Sequence, residues 1–175
     1  MRKRRITIML GSGSDLAQCL AGLSYLEQLR VAGKVEVQVI IVSLHRNTDL
    51  VLSEIRELTH SADVAVVGAG WANHLTGTVD AYLRYTLRNT KVVVVGVAFA
   101  DYKNSTHTAA ARLSITEVPG TNVVFDNYVG SEGFFNACRF AAVGNFPAIN
   151  LPDPKPAQHY TLTDAIKTAN LLINS

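Results

Sequence analysis

The sequence predicts an α/β protein, a parallel sheet covered by helices on both faces. Three observations carry that reading. Short apolar runs alternate along the chain with stretches whose apolar residues recur at helical spacing. The short runs are rich in Val and Ile and lack polar alternation, which marks strands buried on both faces rather than half-wet ones. The first three runs end in loops of unusual composition, the place where such sheets bind ligands.

Residues 6–10 are a short apolar run stopped by Gly11, a buried strand. Residues 16–30 carry apolar side chains on a helical period, with Gly33 as the stop. Residues 35–42 are rich in β-branched side chains, a second strand. Leu50, Leu52, Ile55 and Leu58 place a helix over residues 49–61. Residues 64–67 form the third strand, 78–87 a helix, and 92–97 the most strongly β-branched strand. A helix over 109–115, a short fifth strand over 123–125 and a helix over 132–143 complete the pattern. Right-handed crossovers turn this order into a three-layer α/β/α fold. The expected sheet is flavodoxin-like, with five parallel strands in the order 2-1-3-4-5.

After Gly144 the character changes. Pro147, Pro152, Pro154 and Pro156 fall within ten residues and make a stiff, extended connection. Residues 164–172 then read as a short helix, which tethered in this way rarely stands alone. The expected organisation is an α/β domain over residues 1–143 and a proline-rich arm with a terminal helix over 144–175, packed on its own domain or on a neighbouring subunit.

Composition narrows the function. A chain of 175 residues, 48% hydrophobic, supports one domain with a real core. The net charge of +2 argues against nucleic acid or a membrane surface as partner. The basic start, Met1 to Arg5, precedes an apolar stretch too short for a signal peptide, and no run approaches the ~18 apolar residues of a membrane span. Cys19 and Cys138 lie in helical stretches without metal-ligand spacing and read as small buried hydrophobes in a reducing compartment. A cytoplasmic protein is expected.

The first loop is Gly11-Ser12-Gly13-Ser14-Asp15, followed directly by a helix. Its glycines admit a ligand to the backbone, its serines supply hydroxyls, and the helix start supplies free amides for an anion. Asp15 either caps that helix or binds a ribose hydroxyl. The third glycine of a dinucleotide fingerprint and the lysine of a P-loop are missing. The second loop is Ser43-Leu44-His45-Arg46, which pairs a proton carrier with a two-pronged phosphate grip. The third runs from Gly68 through Ala69, Gly70, Trp71, Asn73, His74 and Leu75 to Gly77. His74 is either a second site group or structural, and Trp71 either stacks on a base or packs under a loop. His60 closes a helix as a favourable C-terminal charge. His107 and His159 show no partner in the sequence, and Asp101, Lys103 and Asn104 lie in a loop that either covers the site or is solvated.

At these three loops the sequence resembles the 5-(carboxyamino)imidazole ribonucleotide mutase family, PurE. The family's Gly-Ser-x-Ser-Asp is matched by Gly11 to Asp15, and its Ser-x-His-Arg by Ser43 to Arg46, with Asp49 three residues on. Its Gly-Ala-Gly loop leading to His-Leu and a later Gly is matched by Gly68, Ala69, Gly70, His74, Leu75 and Gly77. The likeness spans about residues 6 to 143. It implies an isomerase of purine synthesis that needs no metal or organic cofactor, works as a homo-octamer, and moves a carboxyl group from the exocyclic amine to a ring carbon of an aminoimidazole ribonucleotide. The roles it implies are Arg46, Ser14 and Ser43 on the 5′-phosphate, Asp15 on the ribose, and His45 as general acid and base. Ser12 and the loop from Gly70 through Trp71 to His74 surround the base and transient carbon dioxide, with Ala69 and Leu75 also among the binding positions.

The sequence departs from the family where Trp71 replaces Gly, Asn73 replaces Ala and Thr76 replaces Pro. The family's Gly-x-Asp-Ser-Leu segment is replaced by Thr108-Ala-Ala-Ala-Arg112. The phosphate and ribose groups are intact while the base and carbon dioxide end is altered. Three alternatives stay open: a lyase that adds free carbon dioxide to aminoimidazole ribonucleotide, a diverged carboxylase of another nucleotide, and a ribonucleotide-binding protein without turnover.

Overall fold

The computed structural model describes residues 2–173. Its sheet consists of β1 (Arg4–Leu10), β2 (Val35–Ile41), β3 (Val64–Ala69) and β4 (Val93–Ala98), all parallel, in the order β2-β1-β3-β4. Ile8 lies between Val39 and Val66, and Val66 beside Val95, so the apolar centres of the four runs align.

The sheet has four strands, not the expected five. The chain beyond residue 123 does run parallel to β4, but it pairs with β4 at two isolated bridges, Val124 with Val95 and Val129 with Ala98, and not as a strand. Between them Asn127 adopts a left-handed backbone, φ 50°. That turn lifts the chain off the ladder, and three consecutive apolar residues are too few to hold it there.

The helices are α1 (Leu20–Val31), α2 (Thr48–Ser61), α3 (His74–Ala81), α4 (Ser105–Thr116), α5 (Gly130–Val143) and α6 (Leu162–Ile173). Alternate strand residues face opposite layers. Ile6, Ile8, Leu10 and Val95 pack with Leu26 of α1 and Phe134 and Cys138 of α5. Met9, Val67 and Val94 pack with Val51 and Ile55 of α2 and Val79 of α3. The three-layer expectation therefore holds for this sheet. Gly22 lets α1 approach α5 closely, since a Cβ there would lie 2.6 Å from the Phe134 ring. Both cysteines are fully buried, as their helical settings suggested.

Three helix starts differ from expectation by four residues, α4 among them, which begins at Ser105 rather than 109 because the Asn104 side chain caps it by accepting from the Thr106 amide. The chain after the first loop forms a short 3-10 helix, Gly13–Gln18, before α1 begins. The helix expected from residue 78 begins at His74, because the Asn73 side chain caps it by accepting from the Thr76 amide. It continues into a π-helical turn, Tyr82–Thr86, that carries Arg84 into the interior. The buried Arg84 guanidinium donates to Asp80 Oδ1 at 2.9 Å and to the carbonyls of Asn89 and Val92 at 2.7 Å. Asp80 Oδ2 in turn accepts from the Asn122 amide at 2.8 Å and the Thr121 hydroxyl at 3.2 Å.

The proline-rich segment is fastened to the same chain at first. Arg4, at the amino edge of the sheet, donates to the carbonyls of Ala141 and Gly144 and lies 4.3 Å from the Phe146 ring centre. Asn122 and Asn150 exchange two hydrogen bonds of 3.0 Å, and Arg88 donates to the Pro152 carbonyl at 2.7 Å. By contrast, no residue of α6 is buried. Among the described residues no helix is long and apolar enough to cross a membrane.

Candidate active site

Parallel strands end on one edge, so the loops after β1, β2, β3 and β4 meet there. They enclose a cleft of ≈ 1090 Å³. Ser12, Ser14, Asp15 and Gln18 line it from the first loop, and Ser43, His45 and Arg46 from the second. Ala69, Gly70, Trp71 and Leu75 line it from the third, and Phe99, Asp101, Tyr102 and Lys103 from the fourth. Of the candidate residues, only His74 is not a wall of the cleft, and it touches one that is. His45 Nε2 lies 3.1 Å from His74 Nδ1, with the rings edge to face at 5.2 Å. One imidazole must present an N–H there and the other a lone pair, so a single proton lies between them.

The first loop shapes its hydroxyls locally. The Ser12 Oγ accepts from the Ser14 amide at 3.3 Å, and the Ser12 and Ser14 hydroxyls lie 2.8 Å apart. The amides offered to a ligand therefore belong to a 3-10 turn, not to the start of α1. Ser12, not Asp15, is the cap. Asp15 Oδ2 is buried without a hydrogen-bond partner among the described residues, and Oδ1 lies 3.8 Å from where a Cβ on Gly70 would stand. Burial pushes the Asp15 carboxyl up to about 6, against a smaller downward pull from the Ser12 backbone. On the second loop, Arg46 is exposed and, among the described residues, makes no ion pair, which leaves its fork of donors open to an anion.

Asn73 and Thr76 adjoin the site in sequence, yet both are buried. The Asn73 amide donates to the Val97 carbonyl at 2.9 Å, and the Thr76 hydroxyl lies 3.0 Å from the Val67 carbonyl and 2.9 Å from Asn73 Oδ1. These two departures from the family pattern tie α3 to β3 and β4 and do not enter the cleft. Trp71 does border it, but packs under nothing: it is 64% exposed and stacks on His107, with ring centres 3.9 Å apart. His107 has partners after all. Its Nδ1 lies 2.8 Å from Asp101 Oδ2 and its Nε2 lies 3.2 Å from Asn104 Nδ2.

Sequence reasoning missed Gln18. Its side chain donates to the Ala100 carbonyl and accepts from the Ala100 amide, both at 3.0 Å. This two-way bond joins the first and fourth loops. Among the described residues, no three His, Cys, Asp or Glu side chains cluster as a metal site requires.

A parallel sheet with hydroxyls, a cation that makes no ion pair among the described residues and a histidine pair gathered at its carboxyl edge defines an α/β protein with an open polar cleft where the strand order reverses. The chain belongs to the AIR carboxylase family, PurE: the family's model matches residues 5–155. A protein of Methanobrevibacter smithii described as a probable N5-carboxyaminoimidazole ribonucleotide mutase is 35% identical over 79 residues. That match takes in 45% of this chain and 22% of the relative, so the chain spans about a fifth of that protein. The crystal structure of Treponema denticola PurE aligns with a TM-score of 0.54 at 16% identity, over 97% of this chain and 94% of that one. A crystal structure of a Treponema denticola PurE2 variant aligns with a TM-score of 0.55 at 14% identity, over 99% and 96%. At those identities the two structures establish the shared fold.

The half-buried Asp15 carboxylate has a consequence for stability. Its folded pKa lies above the ordinary value, so between about pH 4 and 6 the folded state binds more protons than the unfolded state. Stability is spared the cost of burying the charge below pH 4 and bears it fully above pH 6. Asp15→Asn should therefore stabilise the protein by about 1–2 kcal/mol at pH 7.5, after discounting for solvent screening, and by little at pH 4. Urea unfolding of both proteins at the two pH values checks this; an equal difference at both would show that Asp15 is not held against its charge.

Proposed function

We propose that this protein is a cytoplasmic enzyme of purine synthesis that converts 5-(carboxyamino)imidazole ribonucleotide to 4-carboxy-5-aminoimidazole ribonucleotide. The observation that carries this reading is the convergence of Arg46, the Ser12–Ser14 hydroxyl pair and the His45–His74 pair on one cleft, in a chain of the AIR carboxylase family. The name of the Methanobrevibacter smithii relative supports it.

Arg46, with Ser14 and Ser43, grips the 5′-phosphate, and Asp15 accepts from the ribose hydroxyls. Ser12, Ala69, Leu75 and the cleft-lining part of the third loop, Gly70 to Ala72, enclose the base. The bond between the exocyclic nitrogen and its carboxylate breaks, carbon dioxide departs, and the electron pair left on nitrogen takes up a proton. The electron-rich ring carbon then adds carbon dioxide, and that carbon's proton leaves to a base. One proton has moved from carbon to nitrogen with no net change, which suits a single imidazole, His45, acting in both directions. His74 gives the proton a second place to rest.

One observation favours a second reading. The matched family is described as AIR carboxylase, and the same groups suit a lyase that adds free carbon dioxide to aminoimidazole ribonucleotide. Ultraviolet assays with each substrate, with and without bicarbonate, separate the two. Bicarbonate-independent conversion of the carboxyamino compound is expected. Turnover of aminoimidazole ribonucleotide alone, strictly dependent on bicarbonate, would select the lyase. Binding without turnover of either would remove the carboxyl-transfer reading altogether. The enzyme works as a homo-octamer in this proposal. Exposed Leu162, Ile166 and Leu171 on α6 support assembly, and light scattering of the same sample showing only monomer would refute it.

A further inference from the structure

We propose that Trp71, held in place by His107 and Asp101, is a stacking platform that selects ligands with a planar base at the β4 end of the cleft. The inference rests on the ribonucleotide reading of the same site and assigns its specificity to residues outside the phosphate grip.

The strand order β2-β1-β3-β4 spreads the loops along the cleft. Arg46, after β2, stands at one end, and the fourth loop at the other. An anion gripped at Arg46 directs the rest of its molecule toward β3 and β4. There the indole of Trp71 borders the cleft with one face against His107, the planes inclined by 22°. With the residue 64% exposed, the rest of the ring system is open to a planar partner. Base–aromatic stacking of this kind tolerates any flat heterocycle and rejects ligands that lack one.

The platform is rigid. Both imidazole nitrogens of His107 are engaged, Nδ1 with Asp101 and Nε2 with Asn104, so its ring cannot turn. Asp101 is itself fixed: its Oδ1 accepts from the Lys103 and Asn104 amides, and its own amide donates to the Thr108 hydroxyl at 2.8 Å. Asn104 caps α4 through the Thr106 amide. Trp71 also sits at φ 56°, a left-handed conformation unfavourable for a bulky side chain. Strain of that kind persists where surrounding contacts over-determine it, and it gathers at ligand sites. His107 and Asp101 are positioning residues, acting through the indole.

Trp71 is the one tryptophan of the chain, so its emission reports the stack directly. The test compares binding of aminoimidazole ribonucleotide and of ribose 5-phosphate to the native full chain and to Trp71→Gly, Trp71→Phe and His107→Ala. The native preference for the nucleotide should fall about tenfold in Trp71→Gly and survive largely in Trp71→Phe. His107→Ala should lower it partway and alter the tryptophan emission. Ribose 5-phosphate should bind all four within about twofold of each other. Glycine is at ease at this φ, so Trp71→Gly is expected to fold. An unchanged preference in Trp71→Gly, or unchanged emission in His107→Ala, overturns the platform and leaves the ribonucleotide reading standing. If the native protein binds neither compound, both readings fall.

Discussion

Replacing His45 with Asn is expected to cut turnover by about 10²–10⁴-fold while ribonucleotide affinity stays within about tenfold. The asymmetry follows from what the substitution removes. Asn can keep a hydrogen bond to His74, but it cannot take a proton from a ring carbon and pass it on. The groups proposed to hold phosphate and ribose are other side chains lining the cleft, which the substitution leaves in place. Arg46→Ala should do the reverse, weakening binding by about 2 kcal/mol, because a phosphate charge then loses its two-pronged partner. Steady-state kinetics and calorimetric titration of both variants decide the matter. Equal loss of affinity in both, with no turnover defect particular to His45, would mean that the imidazole binds rather than carries the proton.

The second large effect lies away from the cleft. Asp80→Ala should destabilise the fold by about 3–5 kcal/mol, because it leaves the Arg84 guanidinium charged in the interior with only carbonyl partners. It also strands the Asn122 amide and Thr121 hydroxyl that converge on Asp80 Oδ2. Replacing both members with apolar residues of similar volume should recover most of the loss, since no lone charge is then buried. Urea unfolding of the single and double variants measures this. A loss under about 1 kcal/mol in Asp80→Ala would mean that water reaches Arg84 when its partner is gone.

Much of the architecture could be read from local pattern. Residues 6–10, 64–67 and 92–97 are dominantly apolar runs, and each became a strand buried on both faces, the first two at the centre of the sheet and the third at its edge, because nothing but such burial satisfies a run of this kind. Residues 123–125 resembled them, but Asn127 turned the chain out of the ladder, and a left-handed residue leaves no periodic trace. The loops after β1, β2 and β3 were legible as one site because topology alone brings strand ends together. The fourth loop was legible only as one of two alternatives, covering the site or solvated, because its placement depends on single bonds between distant residues. Gln18 reaches Ala100, 82 positions away, and Trp71 reaches His107 with no spacing to announce it. Asn73 and Thr76 misled in the other direction. They adjoin the site in sequence, but their partners are carbonyls of β3 and β4 that only the folded sheet reveals.

The two-way bond between Gln18 and Ala100 bears on how a ligand arrives. Gly11 is also joined to Gly68, and Phe99 to Ala69, by backbone hydrogen bonds of 3.0 and 3.1 Å. Three of the four loops are thereby fixed to one another before anything binds. The loop after β2, bound within itself by two bonds to the Ser43 carbonyl, adds its own side chains, His45 and Arg46. On the proposed reading, an incoming ribonucleotide would lose its own freedom on docking but have little loop entropy to extinguish, and its association rate is expected to follow diffusion and the attraction of Arg46 for its charge.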